Sequence, residues 1–303
     1  MTSDPHHPHA PVRVLHSLRG HQRLNPAMAL LEIDTHHHWL ELALLPLDLV
    51  AVCISCDRGI EFAPPSGGER HLSLVAPLRH TPITCRTRGR AQLAIALLTP
   101  LGAVRAFGTP LSELQARHGT LSLVAGKSSA TLARRLLRVR NATPAMRLNA
   151  LALWLEQHMA QSATALPAAL RSADAAMRLL EQPGYVQGLA SLASASGVTP
   201  RQLRRDFAHW LGVSPVEYRR VVRLQRSLGH IAQGMPLASI AASQGYADQA
   251  HMTREIFDWT GIAPSHLSSL HISPALTALR RALGGRVAMV HAAPGATVAE
   301  MPA

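Results

Sequence analysis

Two stretches in the last third of the chain share one plan, and that plan leaves little freedom of fold. The first covers residues 189–207 (LASLASASGVTPRQLRRDF) and the second residues 237–257 (LASIAASQGYADQAHMTREIF). Each reads as a short apolar helix, a Gly at a sharp turn and a second helix with one polar face, the helix-turn-helix pattern. Ala193 stands four residues before Gly197, and Ala241 four before Gly245. A small Ala lets two helices approach, and Gly supplies the backbone freedom the turn demands. Phe207 and Phe257 end the two units and are read as apolar anchors.

Local signals fix where the second helices begin. Thr199-Pro200-Arg201-Gln202 has the form of a capping box with Pro at the first helical position. Leu203 and Phe207 are then four apart and face the core. Arg201, Arg204 and Arg205 fall on the outward face near the helix start. Those are the positions that such a helix inserts into a major groove, where Arg bonds guanine O6 and N7 together. The alternative is a solvated basic face. In the second unit the helix starts near Asp248, which suits an N-cap. Met252 and either Ile256 or Phe257 turn inward, leaving Gln249, His251, Thr253 and Arg254 for the groove.

Between the units, Ser214-Pro215-Val216-Glu217 is a second capping box, and Tyr218, Val222, Leu224 and Ile231 form an apolar stripe behind it. Gly234 and Pro236 stop the helix. Residues 215–233 would span roughly 28 Å, close to the ~34 Å turn of B-DNA. Such a strut holds two recognition helices in successive grooves. Arg219, Arg220, Arg223 and Arg226 lie along it, suited to phosphates or simply to solvent.

This order of motifs resembles the AraC/XylS family of bacterial transcription regulators over about residues 185–267. The resemblance rests on 196–207 (SGVTPRQLRRDF), 211–215 (LGVSP), Arg223-Leu224, Ile240-Ala241, 245–251 (GYADQAH) and 261–265 (GIAPS). It implies a double-stranded DNA partner. Arg201, Arg204 and Arg205 match the positions that read the first groove, and Gln249, His251, Thr253 and Arg254 those at the second. Ser227 stands where a small apolar Ala is usual, and His266-Leu267 replaces a frequent Tyr-Arg. The family also implies an N-terminal sensing or dimerising domain, an unnamed effector, room for RNA polymerase and a homodimer, and no catalytic residues or cofactor. Residues 98–114 are similar to one uncharacterised sort of such domain, although a usual Pro-Gly-Gly is here Pro100-Leu101-Gly102.

The remaining chain fits an α+β protein. Residues 49–56, 72–75 and 93–97 are strand-like apolar runs, punctuated by Gly59, residues 64–68 and Pro82. The β reading continues to about 105. Thr109-Pro110 signals a helix start, and helices are expected over 130–140, 144–161 and 168–180. The expected organisation is an arm without structure over 1–12, a β-rich and helical domain over 13–160, a linker over 161–171, a DNA-binding domain over 172–270 and a partly disordered extension over 271–303. A last helix is expected at 274–283, with the final twenty residues disordered.

Composition limits the alternatives. The chain has 303 residues, a formal charge of +12 and a single lysine, Lys127, so its positive charge is nearly all Arg. That balance suits a polyanion and Arg-type bidentate pairing. No apolar run reaches the ~18 residues of a membrane span, and residues 1–11 lack a signal-peptide core, so a cytoplasmic location is expected. Cys53-Ile54-Ser55-Cys56 could suggest a thiol or metal sensor, but a spacing of three on a strand points the two sulfurs to opposite faces. His36-His37-His38 diverge for the same reason. A cupin-like metal enzyme would need facing His or Glu ligands, and His36 and His38 with His71 and His80 are a poor set. No metal site is expected. Arg86, Arg88 and Arg90 alternate along one strand face, suited to solvent or to an anion.

Overall fold

A computed structural model describes residues 12–18, 24, 27–56, 60–63, 72–76, 78, 83–116, 121–139, 141–161, 167–185, 187–269, 281 and 289–291. The architecture is α+β. Six strands come first: β1 (Val12–Leu18), β2 (Ala27–Leu44), β3 (Val50–Ser55), β4 (Ile60–Ala63), β5 (Ser73–Ala76) and β6 (Ile83–Leu98). They form one antiparallel sheet in the order β1-β2-β6-β3-β5, with β4 also beside β6.

The sheet is buried on both faces, and the period of two decides which residue goes where. Met28, Leu30, Val50, Val52 and Ile54 face the helices. Ala29, Leu31, Ile33, Ala51 and Cys53 line a separate apolar cluster on the other face. This is why residues 49–56 read as an unbroken apolar run rather than an alternating one. It also separates Cys53 and Cys56, which are both buried but belong to different clusters. The side chains of His36, His37, His38, His71, His80 and Cys85 lie outside the described residues. Among the described residues no group of three or more His, Cys, Asp or Glu is placed to hold a metal ion.

Near one end of the sheet Glu32 is only 3% exposed and accepts from Arg13 and Arg90. Burial opposes its ionisation. The hydrogen bonds from Arg90 and Arg13, with their charges, outweigh burial and hold the carboxyl below its ordinary value. Of the alternating arginines, Arg90 therefore has a structural partner.

The β reading to residue 105 is too long. Leu98 is the last paired residue of β6, and α1 (Pro100–Phe107) follows at once. Thr99 caps it, accepting from Gly102 N at 3.0 Å, with Pro100 at the first helical position. All the apolar residues of α1 except Phe107 are buried, so composition did not mark the change of period. Gly102 is required here by contact: a Cβ would lie 2.0 Å from the Leu24 carbonyl oxygen, which also accepts from Thr99 N.

Short helices α2 (Leu111–Ala116) and α3 (Leu121–Val124) lead to α4 (Lys127–Leu137) and α5 (Pro144–Gln161). α4 starts and ends about three residues earlier than expected, whereas α5 has the expected bounds. Leu148, Leu151, Trp154 and Leu155 of α5 are buried in the helix-side core. The helical remainder is α6 (Ala168–Leu180), α7 (Leu189–Ala195), α8 (Pro200–Leu211), α9 (Pro215–Ile231), α10 (Leu237–Ser243), α11 (Gln249–Thr260) and α12 (Pro264–Ser269).

The helix expected at 274–283 lies almost wholly outside the described residues. Within the tail expected to be disordered, Met289–His291 forms β7, paired with Leu42, Ala43 and Leu44 of β2. The far end of β2 is bonded to β6 on one side, and among the described residues β7 takes its other edge, which an open strand offers readily.

Candidate nucleic-acid interface

The two units repeat one backbone design. Gly197 and Gly245 have φ of +74° and +72°. In each unit the residue after the Gly donates back to the small Ala: Val198 N to Ala193 O, and Tyr246 N to Ala241 O, both at 3.0 Å. Ala193 and Ala241 are buried. The sequence reading of a small residue and a turn Gly is thus realised twice with the same bonds.

In the first unit, Thr199 caps α8 by accepting from Gln202 N at 3.2 Å. The reciprocal half of the expected capping box is absent. The Gln202 side chain instead donates to Asp206 Oδ1 at 2.6 Å and accepts from Arg205. Asp206 is 3% exposed and competes for the amide more effectively than the cap does. Leu203 and Phe207 are fully buried. Arg201, Arg204 and Arg205 are all exposed on the opposite face.

In the second unit, Asp248 caps α11 through His251 N at 2.6 Å. Gln249 and Arg254 are exposed, and Thr253 is half-buried. His251 is half-buried and turned back onto its own unit. Its Nδ1 accepts from Ala247 N at 3.3 Å, and its ring meets Tyr246 edge-on at 5.5 Å. Met252 and Ile256 face inward, but Phe257 does not and is 52% exposed. The aromatic anchor is Trp259, seven residues after Met252 and 5% exposed, because position 257 lies about 100° round the helix from Ile256.

The capping box at Ser214 and Glu217 is complete in both directions. α9 behind it has Tyr218, Val222, Leu224 and Ile231 buried. Ser227, the polar residue in a small apolar position, is fully buried and satisfied by Arg223 O at 3.0 Å and by the Tyr246 hydroxyl. Burial raises the Tyr246 phenol above its ordinary value, keeping it neutral and able to share that bond.

Three of the four linker arginines are engaged. Glu255, only 5% exposed, accepts bidentately from Arg223 and at 3.1 Å from Arg220. Arg223 also lies 4.2 Å from the Tyr246 ring centre, and Arg220 5.0 Å from that of Trp259. Arg226 donates to the carbonyls of Glu181 and Gln182 at the end of α6. Sequence reasoning missed Glu255. Its signal was an acid at a core-facing spacing between Met252 and Trp259, with linker arginines to match.

A helix-turn-helix family model matches residues 192–269, the two units and the strut between them. The chain carries a helix-turn-helix domain over these residues. Several solved proteins resemble it in structure. An AraC-type regulator from Chromobacterium violaceum is 24% identical, covering 34% of this chain and 94% of its own, with a TM-score of 0.33. ToxT from Vibrio cholerae is 10% identical, covering 82% and 98%, with a TM-score of 0.48. The C-terminal domain of AraT from Geobacillus stearothermophilus is 20% identical, covering 35% and 88%, with a TM-score of 0.30. No curated protein sequence matches the chain. Among the described residues no helix is long and apolar enough to cross a membrane.

Proposed function

We propose that the protein is a sequence-specific regulator that reads two successive major grooves and is controlled by its N-terminal half. The observation that carries the groove reading is the pair of capped helices, α8 and α11, whose exposed starts hold Arg201, Arg204 and Arg205 on one side and Gln249, Thr253 and Arg254 on the other. His251 joins the second set only by giving up its contacts with Ala247 and Tyr246. α9, at 17 residues, is about 26 Å long and sets the separation of the units.

Control is supported by how the halves meet. Leu45, in the loop after β2, is 1% exposed within the core of the second unit, beside Val221, Leu224 and Leu228. Pro46 O accepts from Gln225 of α9 at 2.6 Å in a buried bond. At the first unit, Ser112 of α2 donates to His209 O near the end of α8. The N-terminal half therefore touches both units, so an effector or a second copy acting on the sheet has a direct route to their spacing. The boundary between the halves belongs to residues 161–171 in this reading, and RNA polymerase and a second copy of the chain are further partners it allows.

The test is binding of the full chain to promoter duplexes against random competitor. Replacing Arg204 and Arg205 with Ala should remove ~1–3 kcal/mol of discrimination for each lost base contact while leaving the melting transition unchanged. Equal preference by wild type and the double variant overturns the assignment of the reading face.

A further inference from the structure

A cleft of about 340 Å³ opens between the two units along α9. Its walls are Gly184 and Tyr185 before α7 on one side, and Gln244 and Gly245 before α11 on the other. Arg219 lines the floor. Unlike the other three linker arginines, half-buried Arg219 has no hydrogen bond or ion pair among the described residues. A partly desolvated guanidinium without a partner is poised for an anion.

The position of the cleft says which anion. At about 100° per residue, Arg219, Val222, Arg223 and Arg226 share one stripe of α9, and Gln225 points about 110° away from it. Gln225 is where the N-terminal half attaches. Going round α9, one meets the cleft, the first unit at Tyr218, the N-terminal contact, the second unit at Val221 and Leu224, and the cleft again. The cleft is therefore on the side of the strut turned away from the N-terminal half. On the second unit the cleft wall, Gln244 and Gly245, leads directly into the capped start of α11.

We propose that Arg219 and this cleft receive a phosphate of the DNA backbone where the duplex crosses between its two grooves. This rests on the groove reading above. A duplex spanning both recognition helices must carry its backbone over α9 on this side, and the cleft puts a free cation there. Such a contact positions the duplex and fixes the register of the two helices without reading sequence.

The experiment uses the full chain and a duplex it prefers, with affinity measured across a salt series. Arg219→Gln should flatten the slope of log K against log salt by about 0.9, the loss of one phosphate contact, and weaken specific and random duplexes by the same factor. Arg219→Lys should keep most of the slope. Arg135→Gln, an exposed charge on α4 in the N-terminal half, should leave it unchanged. A methylphosphonate at the central backbone position should weaken the wild type and leave Arg219→Gln unaffected. An unchanged slope in Arg219→Gln, with wild-type binding intact, overturns this inference alone. A wild type without duplex preference overturns the groove reading beneath it.

Discussion

Arg223 should prove the most costly of the linker arginines to remove, and Glu255 an inexpensive one to replace. Glu255 is a buried carboxylate whose charge is balanced chiefly by Arg223, through two bonds of 2.7 Å, and secondarily by Arg220. The Arg223→Met variant loses the bidentate pair and the contact with Tyr246, and leaves a buried carboxylate with only Arg220 at 3.1 Å and the His251 ring at 3.9 Å. Breaking a buried pair from one side costs about 3–5 kcal/mol. Arg220 remains, and the Arg223 side chain is 19% exposed, so about 2–4 kcal/mol is the working figure. Arg220, 39% exposed and held by one longer bond, should cost only about 1 kcal/mol. Glu255→Met removes the buried charge itself and fills a site flanked by Met252, Ile256 and Trp259. Both arginines can then turn to water, and the net change should stay within about 1.5 kcal/mol. The assay is urea unfolding of the full chain followed by a double-mutant cycle. Once Glu255 is Met, Arg223→Met should cost much less than it does alone. If Arg223→Met is no worse than Arg220→Met, or if the cycle shows no coupling, then Glu255 is not the buried charge that joins α9 to α11.

Gly102→Ala should destabilise by at least 1–3 kcal/mol because its Cβ would strike the Leu24 carbonyl, whereas Gly89→Ala, with open space around it and φ of +76°, should cost about 1–2 kcal/mol from backbone strain alone; thermal unfolding compares them. Ser214→Ala breaks the complete capping box of α9 and should cost about 0.5–2 kcal/mol by the same measurement. Leu203→Ala should cost ~2–5 kcal/mol in stability, in contrast to the neighbouring arginines, because Leu203 is fully buried. Glu32 gives a pH prediction. Its folded pKa lies below the unfolded value, so its stabilisation is present above about pH 4.3–4.5 and is lost as pH falls through the folded pKa. Glu32→Gln should be less stable than wild type at pH 7, and the difference should shrink in acid denaturation series. A constant difference down to pH 2 would show that the carboxylate charge contributes nothing.

The sequence by itself determined the features that depend on a few adjacent residues. Thr199 and Ser214 cap their helices, Gly197 and Gly245 turn left-handed, and Leu203 and Met252 face inward, because caps, turns and helical spacing are short-range physics. The strand parity that sends Cys53 and Cys56 to different cores was legible for the same reason. Where two local readings were nearly equal, sequence could not choose. Ile256 and Phe257 are both apolar and adjacent, and only the packing of Trp259 and Met252 against α9 shows which one is core. The switch from β6 to α1 was missed because both sides of Thr99 are apolar and buried, so hydropathy does not mark it.

Tertiary structure alone decided the long-range pairings. Glu255 meets arginines more than 30 positions earlier, and Gln225 meets Pro46 from 179 positions away. No window along the chain contains both partners. These contacts assign three linker arginines to the protein itself or to its own carbonyls and leave Arg219 in an open cleft, a division that four similar residues on one helix cannot express in sequence. The fold makes it because each arginine's use depends on which neighbour lies across from its stripe of α9, and that is set by how the two units and the sheet pack around the helix.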